Sequence, residues 1–140
     1  MEDQNDEIVA FTSPPKDPVQ VWQQLQIFCK KKRACIQLYA KVPTEEVGYR
    51  LNIINPREDI CSWLLQIKDT PECLEVKPLR RPEVGIVGTP VYAYSIPYDD
   101  QHYYLALYEK ETRRNEKILT IMFIKSLKMD NRFPDIMRSL

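Results

Sequence analysis

His102 is the single histidine of the chain, so any imidazole-dependent reaction must pass through it. Its neighbours Asp99 and Asp100 could orient the ring and set its proton affinity for acid–base work. A nucleophile would have to come from elsewhere. Cys35, Cys61 and Cys73 qualify by type, but each sits in an amphipathic pattern that buries it as an inert thiol. Asp99, Asp100 and His102 could also approach a metal ion, yet no second cluster completes a coordination shell. The gaps of 6, 26 and 12 between Cys29, Cys35, Cys61 and Cys73 match no zinc spacing, and buried reduced thiols are the expected state. Residues 85–90, Gly-Ile-Val-Gly-Thr-Pro, hold two of the three glycines of a phosphate loop without a following lysine or helix. The expectation is therefore a non-enzymatic chain with no catalytic residue, no metal and no cofactor.

The tyrosines carry a different message. Six of the eight (Tyr92, Tyr94, Tyr98, Tyr103, Tyr104, Tyr108) lie within 17 residues. With residues 97–101 as a loop, Ile96 pairs with His102, Tyr94 with Tyr104 and Tyr92 with Ala106. One face then displays Tyr92, Tyr94, His102, Tyr104 and Tyr108, and the other carries Val91, Ala93, Ser95, Tyr103, Leu105 and Leu107. Pairing Lys110 with Lys117 adds Leu119, Ile121 and Phe123 to the aromatic face, and Ile118, Thr120, Met122 and Ile124 to the opposite one. A strand apolar on both faces is covered on both, by its own helices or by a partner. The expected partner-binding surface is thus Tyr92, Tyr94, Tyr104, Tyr108, Ile121 and Phe123, because tyrosine combines apolar area with a hydroxyl.

Basic clusters supply the rival reading. Lys30, Lys31, Lys32 and Arg33 form one, Lys77 with Arg80 and Arg81 a second, and Arg113 with Arg114 a third. Cationic loops beside an aromatic sheet face can hold single strands through phosphate neutralisation and base stacking. The first cluster also complements a helix C-terminus, and Arg113 and Arg114 lie among Glu109, Glu111 and Glu116.

The elements that must position these residues follow from periodicity and breakers. Residues 1–16 are expected to form a flexible acidic arm ended by Pro14-Pro15. Asp17-Pro18 opens a helix over residues 17–33, with Val21, Trp22, Leu25, Phe28 and Cys29 on its core side. Residues 34–42 and 47–54 alternate as two strands of a hairpin. Asn55-Pro56-Arg57-Glu58 carries the signs of a capping box and starts a helix over residues 56–68, with Ile60, Trp63, Leu64 and Ile67 inward. Strands follow over 73–77, 84–87, 91–96, 102–109 and 117–125, with residues 78–82 an extended edge or loop and a short helix started at Pro134. Pro14-Pro15 and residues 78–82 are also segments that another protein could dock.

With 140 residues, 44% hydrophobic and 29% charged, the chain has room for one core. The element order lacks βαβ alternation, which predicts a single α+β domain over residues 17–140. Its mostly antiparallel, curved sheet would have about 5–7 strands, open or partly closed into a barrel, packed by two amphipathic helices and a short C-terminal helix. The 20 basic and 20 acidic residues cancel, which removes the general argument for a nucleic-acid or membrane-surface protein. No apolar run approaches the length of a membrane span, and the acidic N-terminus is unlike a secretory signal, so an intracellular place in cytoplasm or nucleus is expected. These readings favour an adaptor or assembly subunit that contacts another protein or itself, as a homodimer. Binding of single-stranded RNA through Lys30, Lys31, Lys32, Arg33, Arg80, Arg81, Arg113 and Arg114 is the runner-up. A small enzyme built on His102 ranks third.

Overall fold

The computed structural model describes residues 9–83 and 85–132. Three helices and five strands follow one another: α1 (Pro18–Lys31), β1 (Ile36–Leu38), α2 (Glu45–Arg50), α3 (Pro56–Leu64), β2 (Glu72–Pro78), β3 (Pro90–Tyr98), β4 (Gln101–Arg114) and β5 (Lys117–Met129). They form an α+β unit on one open, mixed sheet of order β1-β5-β4-β3-β2. All neighbours are antiparallel except β1, which runs parallel to β5 through Ile36↔Met122 and Leu38↔Ile124. The sheet keeps two free edges, so it does not close into a barrel, and its five strands stand at the lower end of the expected 5–7.

α1 forms as its sequence dictates. Asp17 caps it, the carboxylate accepting from Val19 N at 3.0 Å, and Pro18 occupies the first helical position. Val21, Trp22, Leu25, Phe28 and Cys29 are buried along one side. α3 begins after Asn55 as expected, but no capping box forms. Glu58 turns instead to Arg33 at 2.8 Å, and Asp59 accepts from the backbone N–H groups of Ile54 and Asn55 at 2.7 and 2.9 Å. Those two bonds hold the Asp59 carboxyl below its usual range. Gln26 ties α1 to the end of α3, its amide donating to the carbonyls of Leu64 and Ile67 at 3.2 and 2.9 Å.

The expected hairpin over residues 34–42 and 47–54 is absent. Its first half shrinks to a 3₁₀ turn at Arg33–Cys35 followed by β1, and its second half is helix α2. Thr44 caps α2, and Glu45 and Glu46 fill the first turn, where carboxylates meet the positive end of the helix. The alternation of Val47, Tyr49 and Leu51 suggested a strand; the operative pair is Val47 and Leu51, one helical turn apart. Val47 is fully buried, whereas Tyr49 is 89% exposed.

Of the strand expected at residues 84–87, the described residues 85–87 form none, Gly85 being a bend and Val87 a turn. Two prolines bound this stretch and Gly88 sits at φ +97°, so the chain loops back instead of pairing. Backbone bonds staple the loop at its base, from Leu79 N to Thr89 O and from Gly88 N to Leu79 O, both 2.8 Å. Residues 9–16 touch the body through Thr12 N to Gly88 O at 2.9 Å and Lys16 Nζ to Glu109 at 2.8 Å. The helix expected from Pro134 lies outside the described residues.

Strand register decides what each face carries. β3 and β4 join through Asp99 and Asp100, both with positive φ, so Tyr98 pairs with Gln101 and Tyr94 with Leu105. This differs by one residue from the pairing of Tyr94 with Tyr104, and a slip of one exchanges the faces. Tyr92, Tyr94, Ile96, Tyr103, Leu105 and Leu107 therefore share one face. They pack under the helices with Trp22, Leu25, Ile60, Trp63, Leu64, Met122, Ile124 and Leu127 as a single core. β4 and β5 join at Asn115 and Glu116, pairing Arg114 with Lys117. Against the pairing of Lys110 with Lys117 that shift is even, so Leu119, Ile121 and Phe123 remain on the face of Tyr104 and Tyr108, as expected.

Candidate functional site: the sheet face opposite the helices

The face opposite the helices carries Glu75 and Lys77 from β2, Val91, Ala93 and Ser95 from β3, and His102, Tyr104, Ala106 and Tyr108 from β4. β5 adds Phe123, Ser126 and Lys128. Half of this face is roofed by the loop after β2. Leu79 is buried there, and Gly85 lies so close to Tyr108 that a Cβ on it would stand 2.8 Å from the Tyr108 hydroxyl. Tyr108 stacks on Phe123 beneath that roof, ring centroids 5.1 Å apart.

The other half is a groove of about 300 Å³. Its floor is small and apolar (Val91, Ala93, Ala106), because alanines on β3 and β4 leave a trough between larger neighbours. Its walls are cationic. Lys77 comes from the edge strand, Arg80 and Arg81 from the roofing loop, and Lys125 from β5. Lys125 owes its position to a β-bulge: Ala106 pairs with Ser126 and Leu107 with Ile124, leaving Lys125 as the inserted residue. At the groove's upper end Lys128 lies opposite Tyr104, its ammonium 5.0 Å from the ring centre.

The electrostatics are one-sided. Lys77, Arg80, Arg81 and Lys125 line the groove with one carboxylate, Glu75, which Lys77 approaches at 3.3 Å. Burial, followed by the neighbouring charges of Arg81 and Lys128, lowers the Lys125 ammonium below its usual range. An anion placed in the groove would relieve that repulsion. Burial raises the Tyr104 phenol, so it stays neutral at physiological pH.

The residues singled out from sequence separate into distinct places. Tyr92 and Tyr94 lie in the core: Tyr94 is 0% exposed, 5.4 Å from the Trp22 ring, and donates to the Pro18 carbonyl at 2.7 Å. Tyr92 Oη accepts from Lys16 N at 2.8 Å. Tyr108 and Ile121 are buried, Phe123 is half-buried, and of the six aromatic-face residues Tyr104 alone reaches the groove. Lys30 and Lys31 close α1, Lys32 lies over the Phe28 ring at 5.6 Å, and Arg33 bonds the Cys29 carbonyl at 2.6 Å and Glu58 at 2.8 Å. That cluster sits on the helical side beside edge β1, while Arg80 and Arg81 follow the opposite edge, β2. Arg113 and Arg114 stand at the tip of the β4–β5 hairpin. Lys125 and Lys128 went unnoticed because they interrupt an apolar strand; a bulge that turns one of them into a groove leaves no mark in periodicity.

His102 lines a neighbouring cleft with Ser95, next to Asp130. This Ser, His and Asp grouping is not arranged as a nucleophile and its base. The Ser95 hydroxyl donates to Asp130 Oδ2 at 2.9 Å, and the same carboxylate accepts from Arg132 Nε and Nη2 at 3.0 and 2.9 Å. Arg132 and Ser95 hold the Asp130 carboxyl below its ordinary range, which makes it a weak base and a tie between the end of β5 and β3. Cys29 and Cys61 are buried and Cys35 and Cys73 half-buried, all four as thiols. Among the described residues no group of three or more His, Cys, Asp or Glu is placed to hold a metal, and no helix is long and apolar enough to cross a membrane. Comparison with family models, curated proteins and solved structures finds no match to the chain.

Proposed function

We propose that the chain is a non-enzymatic binding module whose working surface is the sheet face opposite helices α1 and α3 and whose ligand is a single-stranded nucleic acid. The observation that carries this reading is the groove itself, where four cationic side chains line an apolar trough beside a neutral, half-buried tyrosine, with Lys128 over that ring. Phosphates account for the cations, and a base or sugar accounts for the floor of Val91, Ala93 and Ala106. An acidic peptide would use the cations but would have less use for a flat apolar floor next to an aromatic ring. The tyrosine surface first expected to dock a protein gives little support to that role, since most of it packs inside the fold. The chain's net charge of zero is no obstacle, because binding responds to the local field and the groove lining holds four cations and one carboxylate.

Fluorescence anisotropy of labelled single-stranded oligonucleotides, titrated at two salt concentrations, tests the reading. The expected result is binding that weakens steeply with salt. It should fall at least tenfold in Lys125→Glu and in Arg81→Glu, and little in Lys31→Glu, which lies on the helical side. Absent or salt-insensitive binding, or equal losses at Lys31 and Lys125, would overturn it.

A further inference from the structure

The same sheet face continues past Tyr104. Ser95 lies two residues beyond Ala93 on β3, and His102 two residues beyond Tyr104 on antiparallel β4, both toward the same hairpin. About 7 Å along the strands from the groove floor, past Ser95, which is buried and bonded to the Asp130–Arg132 pair, lies a second cleft of about 410 Å³, between the sheet and the connection from α3 to β2. One wall is closed by Tyr98, whose hydroxyl donates to Gln66 Oε1 at 3.1 Å.

The second cleft has the opposite chemistry to the first. Asp69 and Glu72 line it, together with Lys68, Thr70, Ser95 and His102 and the apolar Ile67, Pro71 and Pro97. A strand whose phosphates rest on Lys125 and Arg81 would not place another phosphate beside two carboxylates. It would place a base there, and a carboxylate accepts a hydrogen bond from an exocyclic amino group while repelling a carbonyl oxygen at the same position.

We propose that this cleft is a base-selecting subsite that prefers nucleobases bearing an exocyclic amino group, cytosine over thymine or uracil among the pyrimidines. The inference rests on the single-strand reading above. The groove supplies sequence-independent affinity, and the carboxylate cleft supplies the discrimination.

The test compares labelled oligo(dC) and oligo(dT) octamers in anisotropy titrations with the full chain, alongside Asp69→Ala, Glu72→Ala and the double variant, each checked for native circular dichroism. Asp69 and Glu72 are exposed, so the fold should survive these changes. The expected result is oligo(dC) binding about tenfold tighter, the lower part of the range for a good carboxylate–base contact. In the double variant the preference should fall to within about twofold, with oligo(dT) affinity unchanged or improved. Equal, salt-dependent binding of both oligomers would overturn the subsite and leave the groove standing. A cytosine preference that persists in the double variant would also overturn it. If neither oligomer binds, the groove reading fails and the subsite with it.

Discussion

Tyr94 and Tyr104 are the residues on which the strand register can be tested by stability alone. With Tyr94 opposite Tyr104 the two rings would share a face and respond alike to truncation. In the observed register they lie on opposite faces. Tyr94 is fully buried against Trp22 and bonded to the Pro18 carbonyl, whereas Tyr104 is half-buried at a groove wall. Truncating a buried aromatic to alanine costs about 3–5 kcal/mol, transfer and cavity terms together. For a chain of this size, each kcal/mol shifts the melting temperature by about 3–4 °C, between the values for smaller and larger domains. Tyr94→Ala should therefore melt at least about 10 °C below the parent. Tyr94→Phe removes one hydrogen bond and should cost about 1 kcal/mol. Tyr104→Ala, whose ring keeps one side toward solvent and Lys128, should lose about 1–2 kcal/mol at most, on partial burial. Thermal and urea denaturation followed by circular dichroism give these values directly. Equal losses at the two positions, or a Tyr94→Ala variant within about 1 kcal/mol of the parent, would refute the face assignment and everything built on it.

Gly85→Ala should destabilise the loop over Tyr108 by about 1–3 kcal/mol, because its Cβ would meet the Tyr108 hydroxyl at 2.8 Å and Leu79 Cδ2 at 3.0 Å. Adding Tyr108→Phe should recover part of the loss in the same melts; an additive double variant would contradict the close approach. Acid titration of stability should show the Asp130 tie. Its folded-state pKa is depressed by Arg132 and Ser95, so its contribution is fully present above its ordinary value of 3.8 and disappears as pH falls through the lowered one. Asp130→Asn should therefore be less stable than the parent at neutral pH and approach it at low pH, in urea unfolding series run from pH 7 downward; a constant gap would contradict this.

Local structure was legible wherever one short-range rule acted alone. Asp17-Pro18 and Asn55-Pro56 started helices where they should, and Val21, Trp22, Leu25, Phe28 and Cys29 faced the core. Where two periodicities fitted the same few residues, sequence misled. Val47, Tyr49 and Leu51 satisfy a strand, yet the Thr44 cap and two glutamates made a helix of them. Asp59 took the capping role that Glu58 was expected to fill, a choice settled by Arg33 arriving from another element.

Sequence by itself determined the α+β class, the helix starts at Asp17-Pro18 and Asn55-Pro56, the pairing of β4 with β5 and which residues of β5 before the bulge share a face. Those features depend on neighbours in the chain or on parity, and an even shift of register leaves parity intact. The tertiary structure decided the rest. A two-residue turn at Asp99 and Asp100 in place of a longer loop displaced one strand by a single residue, moving Tyr92 and Tyr94 from a presumed docking surface into the core. The cationic groove needed more still: a bulge to deliver Lys125, a loop to bring Arg81 across from the opposite edge, and two alanines aligned on adjacent strands to leave room between them. No periodicity within one segment encodes such a site, because its residues become neighbours only when the strands are paired in register.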